Sequence, residues 1–128
     1  MPRFLSIKLV LALHQDQINT FGGSSGIRDI GLLDSALKMP PQTFGGELLH
    51  STIYKQAAAY LFHISRNHPF IDGNKRTACD AMQTFLELNG YVLNLSDEEE
   101  IDLVLQVAQG NMSKEELSAF LSNCVQQV

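Results

Sequence analysis

The sequence predicts an all-α protein, a compact bundle of about six helices with at most one or two very short strands. Three observations carry this. Apolar residues recur at three- and four-residue spacing in successive segments, each stopped by glycine or proline. Two runs, Ser96-Asp97-Glu98-Glu99 and Ser113-Lys114-Glu115-Glu116, have the reciprocal Ser-x-x-Glu pattern that opens helices. The alternating stretch from Tyr91 to Leu95 is too brief for more than a short strand.

Taken in order, Ser6 can cap a first helix with Val10, Leu13, Ile18 and Phe21 on its apolar face. Gly22-Gly23-Ser24-Ser25-Gly26 breaks it. That run lacks the Gly-Lys-Ser/Thr ending of a phosphate-binding loop, so it reads as a flexible connector. Ile30, Leu33 and Leu37 mark a short second helix, with Asp29 near its start and Met39-Pro40-Pro41 as its stop. Gln42 to Glu47 is a loop or extended piece with paired glycines at Gly45-Gly46. The third helix carries Ile53, Ala57, Leu61 and Ile64 on one stripe, thickened by Ala58 and Phe62. An alanine-rich face of this kind implies close helix–helix contact. The fourth carries Ala78, Ala81, Met82, Phe85 and Leu88 and ends at a good C-cap, Asn89-Gly90. The two capped helices present Ile101, Val104, Leu105, Ala108 and then Leu117, Phe120, Leu121, Cys124. Their acidic first turns are caps rather than metal sites.

At 128 residues the chain has the length of one domain, residues 1–128, with a real core. A 45% hydrophobic and 18% charged composition is that of an ordinary globular protein. A net charge of −5 leaves too few cations for a basic face, which argues against direct nucleic-acid binding. No apolar run approaches about 18 residues and no signal-peptide layout opens the chain, so a cytoplasmic protein without a membrane span is expected. Cys79 and Cys124 fall on apolar helical faces with no Cys-x-x-Cys pair, which reads as buried reduced thiols.

The chemistry gathers in His68-Pro69-Phe70-Ile71-Asp72-Gly73-Asn74-Lys75-Arg76-Thr77-Ala78. Pro69 pushes His68 out of helical geometry, and Asp72-Gly73 is a turn, so the fourth helix begins near Asn74. Lys75 and Arg76 then sit in a first helical turn, where the dipole disfavours cations by about 0.3–1 kcal/mol. A bound phosphate would resolve the conflict, since it suits both the free N–H groups and the cations. His68 can take a proton from a hydroxyl, or simply cap the third helix. Asp72 can hold Mg²⁺, which favours one or two carboxylates plus phosphate oxygens, or it can cap the fourth helix. Gly73 lets backbone approach a phosphate, and Asn74 can point its N–H or amide into the same cradle. Arg76 offers a planar fork and Lys75 a point charge, or both are solvated. Phe70 and Ile71 read as anchors for the loop. His14, His50 and His63 lack such company and read as surface or partly buried residues.

This run resembles the Fic signature, H-P-F-x-[D/E]-G-N-G-R-x-x-R, and is closer still to its Doc (death-on-curing) branch, in which lysine replaces the second glycine. Lys75 stands in that glycine's place and Cys79 in that of the second arginine. Gly26-Ile27-Arg28-Asp29-Ile30-Gly31-Leu32-Leu33-Asp34-Ser35-Ala36-Leu37, Gln42-Thr43-Phe44-Gly45-Gly46 and Phe85-Leu86-Glu87-Leu88-Asn89-Gly90-Tyr91 are similar to Doc as well. The resemblance covers nearly the whole chain. It implies the Fic fold with its third and fourth helices central, and a flap at Gln42 to Glu47 that holds a target's backbone.

The resemblance implies transfer from ATP, with Mg²⁺, to a protein hydroxyl. His68 is then the general base, Asp72 the metal ligand, and Gly73, Asn74, Lys75 and Arg76 the phosphate-binding residues. Doc-type proteins phosphorylate a threonine of elongation factor Tu, whereas Fic enzymes with the full motif generally transfer AMP; a non-catalytic partner-binding module is the third reading. Lys75 in place of glycine fills space and adds charge, which favours the kinase. The resemblance also implies a toxin–antitoxin pair. Some Fic proteins silence themselves through a Ser/Thr-x-x-x-Glu-Gly/Asn segment paired with the second signature arginine. Here Ser96 to Ile101 lacks the final Gly or Asn and the arginine is Cys79. Control is therefore expected from a small antitoxin whose tail folds on binding.

Overall fold

A computed structural model describes residues 2–128, and among these it has six helices and two small antiparallel sheets. In order they are α1 (Ile7–Phe21), α2 (Ile30–Lys38), β1 (Thr43–Phe44), β2 (Glu47–Leu48), α3 (Ile53–Asn67), α4 (Asn74–Leu88), β3 (Tyr91–Leu93), α5 (Asp97–Ala108), α6 (Lys114–Ser122) and β4 (Val125–Gln127). No helix is long and apolar enough to cross a membrane. α3 is the axis. It packs against α2, α4, α5 and α6, and Gln56 through Leu61 are buried without a break. Alanines at 57, 58 and 59 let neighbouring backbones approach, while Tyr60, Leu61, Ile64, Met82, Phe85 and Leu86 fill the space between. Burying each such large side chain stabilises the fold by about 1.5–3 kcal/mol before entropy is counted.

The caps fall where the sequence places them. Ser6 accepts the Leu9 N–H, Asp29 accepts that of Leu32, and both Ser-x-x-Glu boxes close reciprocally at Ser96–Glu99 and Ser113–Glu116. The expected strand is Tyr91–Leu93, but its partner lies at the far end of the chain. β4 pairs with it in the register Tyr91↔Gln127, Val92↔Gln126, Leu93↔Val125. α6 therefore stops at Ser122, and Cys124 is not on a helical face as its spacing suggested. The flap stretch forms a hairpin with Thr43 opposite Leu48. Gly45 and Gly46 both have positive φ (60° and 83°), the requirement of a two-residue turn, and Phe44 stands 82% exposed.

Several faces differ from the sequence reading. α5 turns Glu100, Leu103, Val104 and Val107 inward and leaves Ile101 half exposed, because α5 packs against both α3 and α4. Leu88, Phe120 and Phe21 are also substantially exposed. His14 and His50 are buried instead of lying near the surface. His50 Nε2 and His63 Nε2 lie 3.0 and 3.2 Å from Lys114 Nζ, tying the start of α6 to α3 and the segment before it.

The glycine-rich connector is the largest correction. Its residues are strapped to the signature loop: Ile71 N–H donates to Gly26 O at 3.2 Å, and Arg28 and Asp29 N–H donate to Pro69 O at 2.8 and 3.0 Å. Ile27 and Phe70 form an isolated antiparallel bridge. Glycine is required at position 23, with φ of 115°, because a Cβ there would lie 2.6 Å from Asp72 Oδ2. Its glycines and serines, with no phosphate-loop ending, make this run look flexible in sequence; long-range backbone bonding holds it.

Candidate active site

The signature loop starts with a local strain. His68 is the C-cap of α3 in the left-handed region, φ 52° and ψ 53°, among the described residues the one non-glycine with positive φ. Pro69 forbids helical continuation, and such a conformation costs about 1–3 kcal/mol for a side-chain-bearing residue. Arg28 offsets it. Its Nε donates to His68 O at 2.7 Å and its Nη2 to Asn67 O at 2.9 Å, so one guanidinium closes the end of α3.

Phe70 then plunges into the core, stacked on His14 with ring centroids 3.8 Å apart and planes 5° from parallel. His14 Nε2 donates to Asp72 O at 2.8 Å. Gly73 caps α4 with φ 75° and no side-chain bond, so Asp72 is not the N-cap. The Asp72 carboxylate instead accepts Gly73 N–H on Oδ1 at 2.9 Å and Ser24 N–H on Oδ2 at 3.3 Å. The first N–H groups of α4, at Asn74, Lys75 and Arg76, have no carbonyl within the helix to serve them. A Cβ on Gly73 would press to 3.2 Å from Ile18 Cδ1, so glycine keeps this turn open.

Of the two groups of Asn74 expected at the cradle, the amide is buried and turned into the loop, which leaves the backbone N–H. Oδ1 accepts Phe70 N–H at 2.8 Å, while Nδ2 donates to Phe70 O at 3.0 Å and faces His68 Nδ1 at 3.2 Å. Because the Phe70 N–H fixes which end of the amide is oxygen, Nδ1 of His68 is the acceptor, and the neutral ring carries its proton on Nε2.

Residues 4–86, from the start of the fold to the last turn of α4, match the Fic/DOC family. The chain belongs to the Fic/DOC family. It is 38% identical over 104 residues to a protein named Toxin Doc from Mycolicibacterium smegmatis, covering 80% of each chain. It is 31% identical over 112 residues to Protein kinase doc of Escherichia phage P1, covering 87% of this chain and 86% of the relative.

In this Fic/DOC protein the signature opens onto a cleft of about 600 Å³. His68, Asp72, Gly73, Asn74, Lys75 and Arg76 all line it, so the structure brings together every residue the sequence singled out. The guanidinium of Arg76 lies 4.3 Å over the ring of Phe21, which explains why that phenylalanine at the end of α1 is left exposed. Ile71 also lines the cleft, 57% exposed, and is not a core anchor. The opposite wall is α5, which supplies Asp97, Glu100, Ile101, Val104 and Leu105.

The cleft is polarised. Cations and unserved N–H groups stand at the start of α4; one turn on, the groups become acidic or neutral. Burial, reinforced by the carboxyls of Glu100 and Asp80, pushes the Cys79 thiol far up, and its Sγ lies 3.8 Å from Glu100 O. Cys79 is thus neither a nucleophile nor an anchor for phosphate. Burial, with Asp97, Asp80 and Glu87 adding, pushes the Glu100 carboxyl up to about 7. Among the described residues no cluster of three or more His, Cys, Asp or Glu side chains could hold a metal. The Asp72 carboxylate has both oxygens oriented by backbone N–H groups, a single hard-oxygen donor of the kind that fits Mg²⁺, which draws its other ligands from phosphate and water.

Sequence reasoning missed two residues that build the loop, His14 and Arg28. His14 had a signal: Val10, His14 and Ile18 are four apart and share the buried stripe of α1. Arg28 had none, since its partners lie about 40 residues away.

Proposed function

We propose that this protein is the toxin of a toxin–antitoxin pair and a Doc-type protein kinase, transferring the terminal phosphate of ATP to a protein hydroxyl, with a threonine of elongation factor Tu as the target suggested by resemblance. The observation that carries the reading is one cleft lined by His68, Asp72, the open start of α4, Lys75 and Arg76. Asp72 would hold Mg²⁺, which would supply positive charge to the transferring phosphate. Gly73 and the N–H groups after it cradle phosphate oxygens; Lys75 and Arg76 supply positive charge beside them. His68 accepts the proton of the attacking hydroxyl.

That last step asks for the ring nitrogen Nε2 to be free. Asn74 favours the opposite tautomer by one neutral hydrogen bond, about 0.5–1.5 kcal/mol. The resulting penalty is about tenfold at most, whereas a positioned base contributes about 10²–10⁴. The base role survives the cost.

The kinase is favoured over AMP transfer by the polarity of the cleft. With the terminal phosphate at His68 the triphosphate keeps its charge near Lys75 and Arg76, and the nucleoside takes the end lined by Asp97 and Glu100. The reverse placement drives phosphates toward carboxyls, at a position where full-motif relatives have an arginine and this chain has Cys79. Among the described residues Glu100 pairs with no cation, so no lock of the self-inhibiting kind forms there, and a partner protein supplies control. Phe21 and Ile71, both more than half exposed beside the cleft, are apolar surface for an antitoxin tail that folds on binding.

Incubation with elongation factor Tu and ATP labelled at the γ- or the α-phosphate tests the reading. Label should transfer from γ alone, and His68→Ala should slow it at least about a hundredfold with an unchanged melting temperature. Transfer of α-label, or a variant within about tenfold of wild type, overturns it. Coexpression with the neighbouring small open reading frame, pull-down and a growth assay test the antitoxin.

A further inference from the structure

Glu100 is an unexplained group. It is 7% exposed, and among the described residues no donor reaches its carboxyl oxygens. Its backbone is fully used: the N–H donates to Ser96 O at 3.0 Å and the carbonyl receives Cys79 Sγ. Its helix needs no help from it, because Ser96 and Glu99 already form the cap. The charged groups facing it are Asp97 on its own helix and Asp80 and Glu87 on α4, all acidic, so no ion pair accounts for its burial. The oxygens keep a narrow opening to solvent, but a carboxyl so largely withdrawn from water and given no protein donor is costly to keep ionised. Yet its side chain borders the cleft, beside the apolar surfaces of Ile101, Val104 and Leu105.

We propose that Glu100 is a specificity-determining residue that hydrogen-bonds an uncharged polar group of the bound nucleoside, a sugar hydroxyl or a base amino group. This rests on the nucleotide reading above and deepens it. Phosphate is excluded at this position by like charge. A flat apolar ring finds a wall in Ile101, Val104 and Leu105, and a hydroxyl or amino group beside the ring finds in Glu100 a partner that protein atoms have left free. A hydroxyl suits it in either protonation state, donating to the carboxylate or accepting from the acid.

Calorimetric titration tests this with two ligands in the presence of Mg²⁺: a non-hydrolysable ATP analogue and inorganic tripolyphosphate. Glu100→Ala should weaken the ATP analogue about 10- to 100-fold and leave tripolyphosphate unchanged, the range expected for losing a buried hydrogen bond to an ionisable group. In turnover assays the KM for ATP should rise by a similar factor while kcat is retained. Glu100→Gln, nearly isosteric and still able to donate and accept, should recover most of the affinity, and it guards against a simple folding defect in the alanine variant. Separate arms with the 2′,3′-dideoxy analogue and with inosine triphosphate distinguish sugar from base: whichever ligand has lost the recognised group binds wild type and Glu100→Ala alike. Loss of affinity for both ATP analogue and tripolyphosphate, or for neither, overturns the assignment while leaving the nucleotide site in place. A wild-type protein that binds neither ligand overturns the nucleotide reading itself.

Discussion

Replacing Glu100 by Gln should stabilise the protein in alkaline solution and do nothing in acid. The carboxyl is held near 7 where its ordinary value is 4.5, a gap of about 2.5 pH units. Its folded-state value is raised, so the stability it contributes is complete below about 4.5 and is lost as pH climbs through about 7. At about 1.36 kcal/mol per unit, the ionised carboxyl costs the fold roughly 3 kcal/mol at pH 8. Relaxation of the cleft toward water would trim that to about 2–3 kcal/mol. Glutamine keeps the shape of the protonated acid and never ionises. For a chain of this size, 1 kcal/mol corresponds to about 3–5 °C in melting temperature. The variant should therefore melt about 6–15 °C above wild type at pH 8 and within about 2 °C of it at pH 4.5. Thermal unfolding followed by circular dichroism at both pH values reads this out. Subtracting the two proteins removes the contributions of every other titrating group. A difference equal at both pH values would refute the reasoning, as would its absence at pH 8.

Lys75→Gly should abolish phosphate transfer, and intact-mass measurement of the target would register any AMP gained in its place. Gly23→Ala should displace the Asp72 carboxylate, since the added Cβ falls 2.6 Å from Oδ2; the expected result is a raised Mg²⁺ requirement in the transfer assay with a stability loss of about 1–3 kcal/mol. Arg28→Ala removes two bonds from a charged donor and should cost about 2–4 kcal/mol by denaturant titration. Its transfer rate should fall as His68 loses its fixed backbone, and Arg28→Lys should recover little, because an ammonium on a flexible stem lacks the rigid planar fork that spans the two carbonyls.

Local rules made most of the fold legible. Helices announced by caps and periodicity appear with their caps bonded as expected, and the signature residues do converge on one cleft. What escaped the sequence was long-range. β3 has a partner more than thirty residues away, and nothing in Val125-Gln126-Gln127 looks like a strand until Tyr91–Leu93 is set beside it. Ile101 reads as core by period alone, but a helix that packs on two neighbours and walls a cleft turns a different stripe inward. Asn74, by its place beside Gly73, can offer a phosphate either its N–H or its amide. Only its bonds to Phe70 reveal that the amide shapes the loop. Glycine at position 23 carried no mark of purpose, since its neighbour Asp72 is distant in sequence and touching in space.

The connector's grip on the signature loop ties chemistry to folding order. His14, Ser24 and Arg28 secure the loop from positions 58, 48 and 40 residues distant in the chain. None of these contacts exists until α1, the connector and the α3–α4 turn have docked together. A chain still emerging, or one locally opened at 22–28, carries every signature side chain and no assembled cleft. Assembly of the cleft is thereby postponed until the fold is finished, and a partner that pried the connector away would dismantle it without ever entering it.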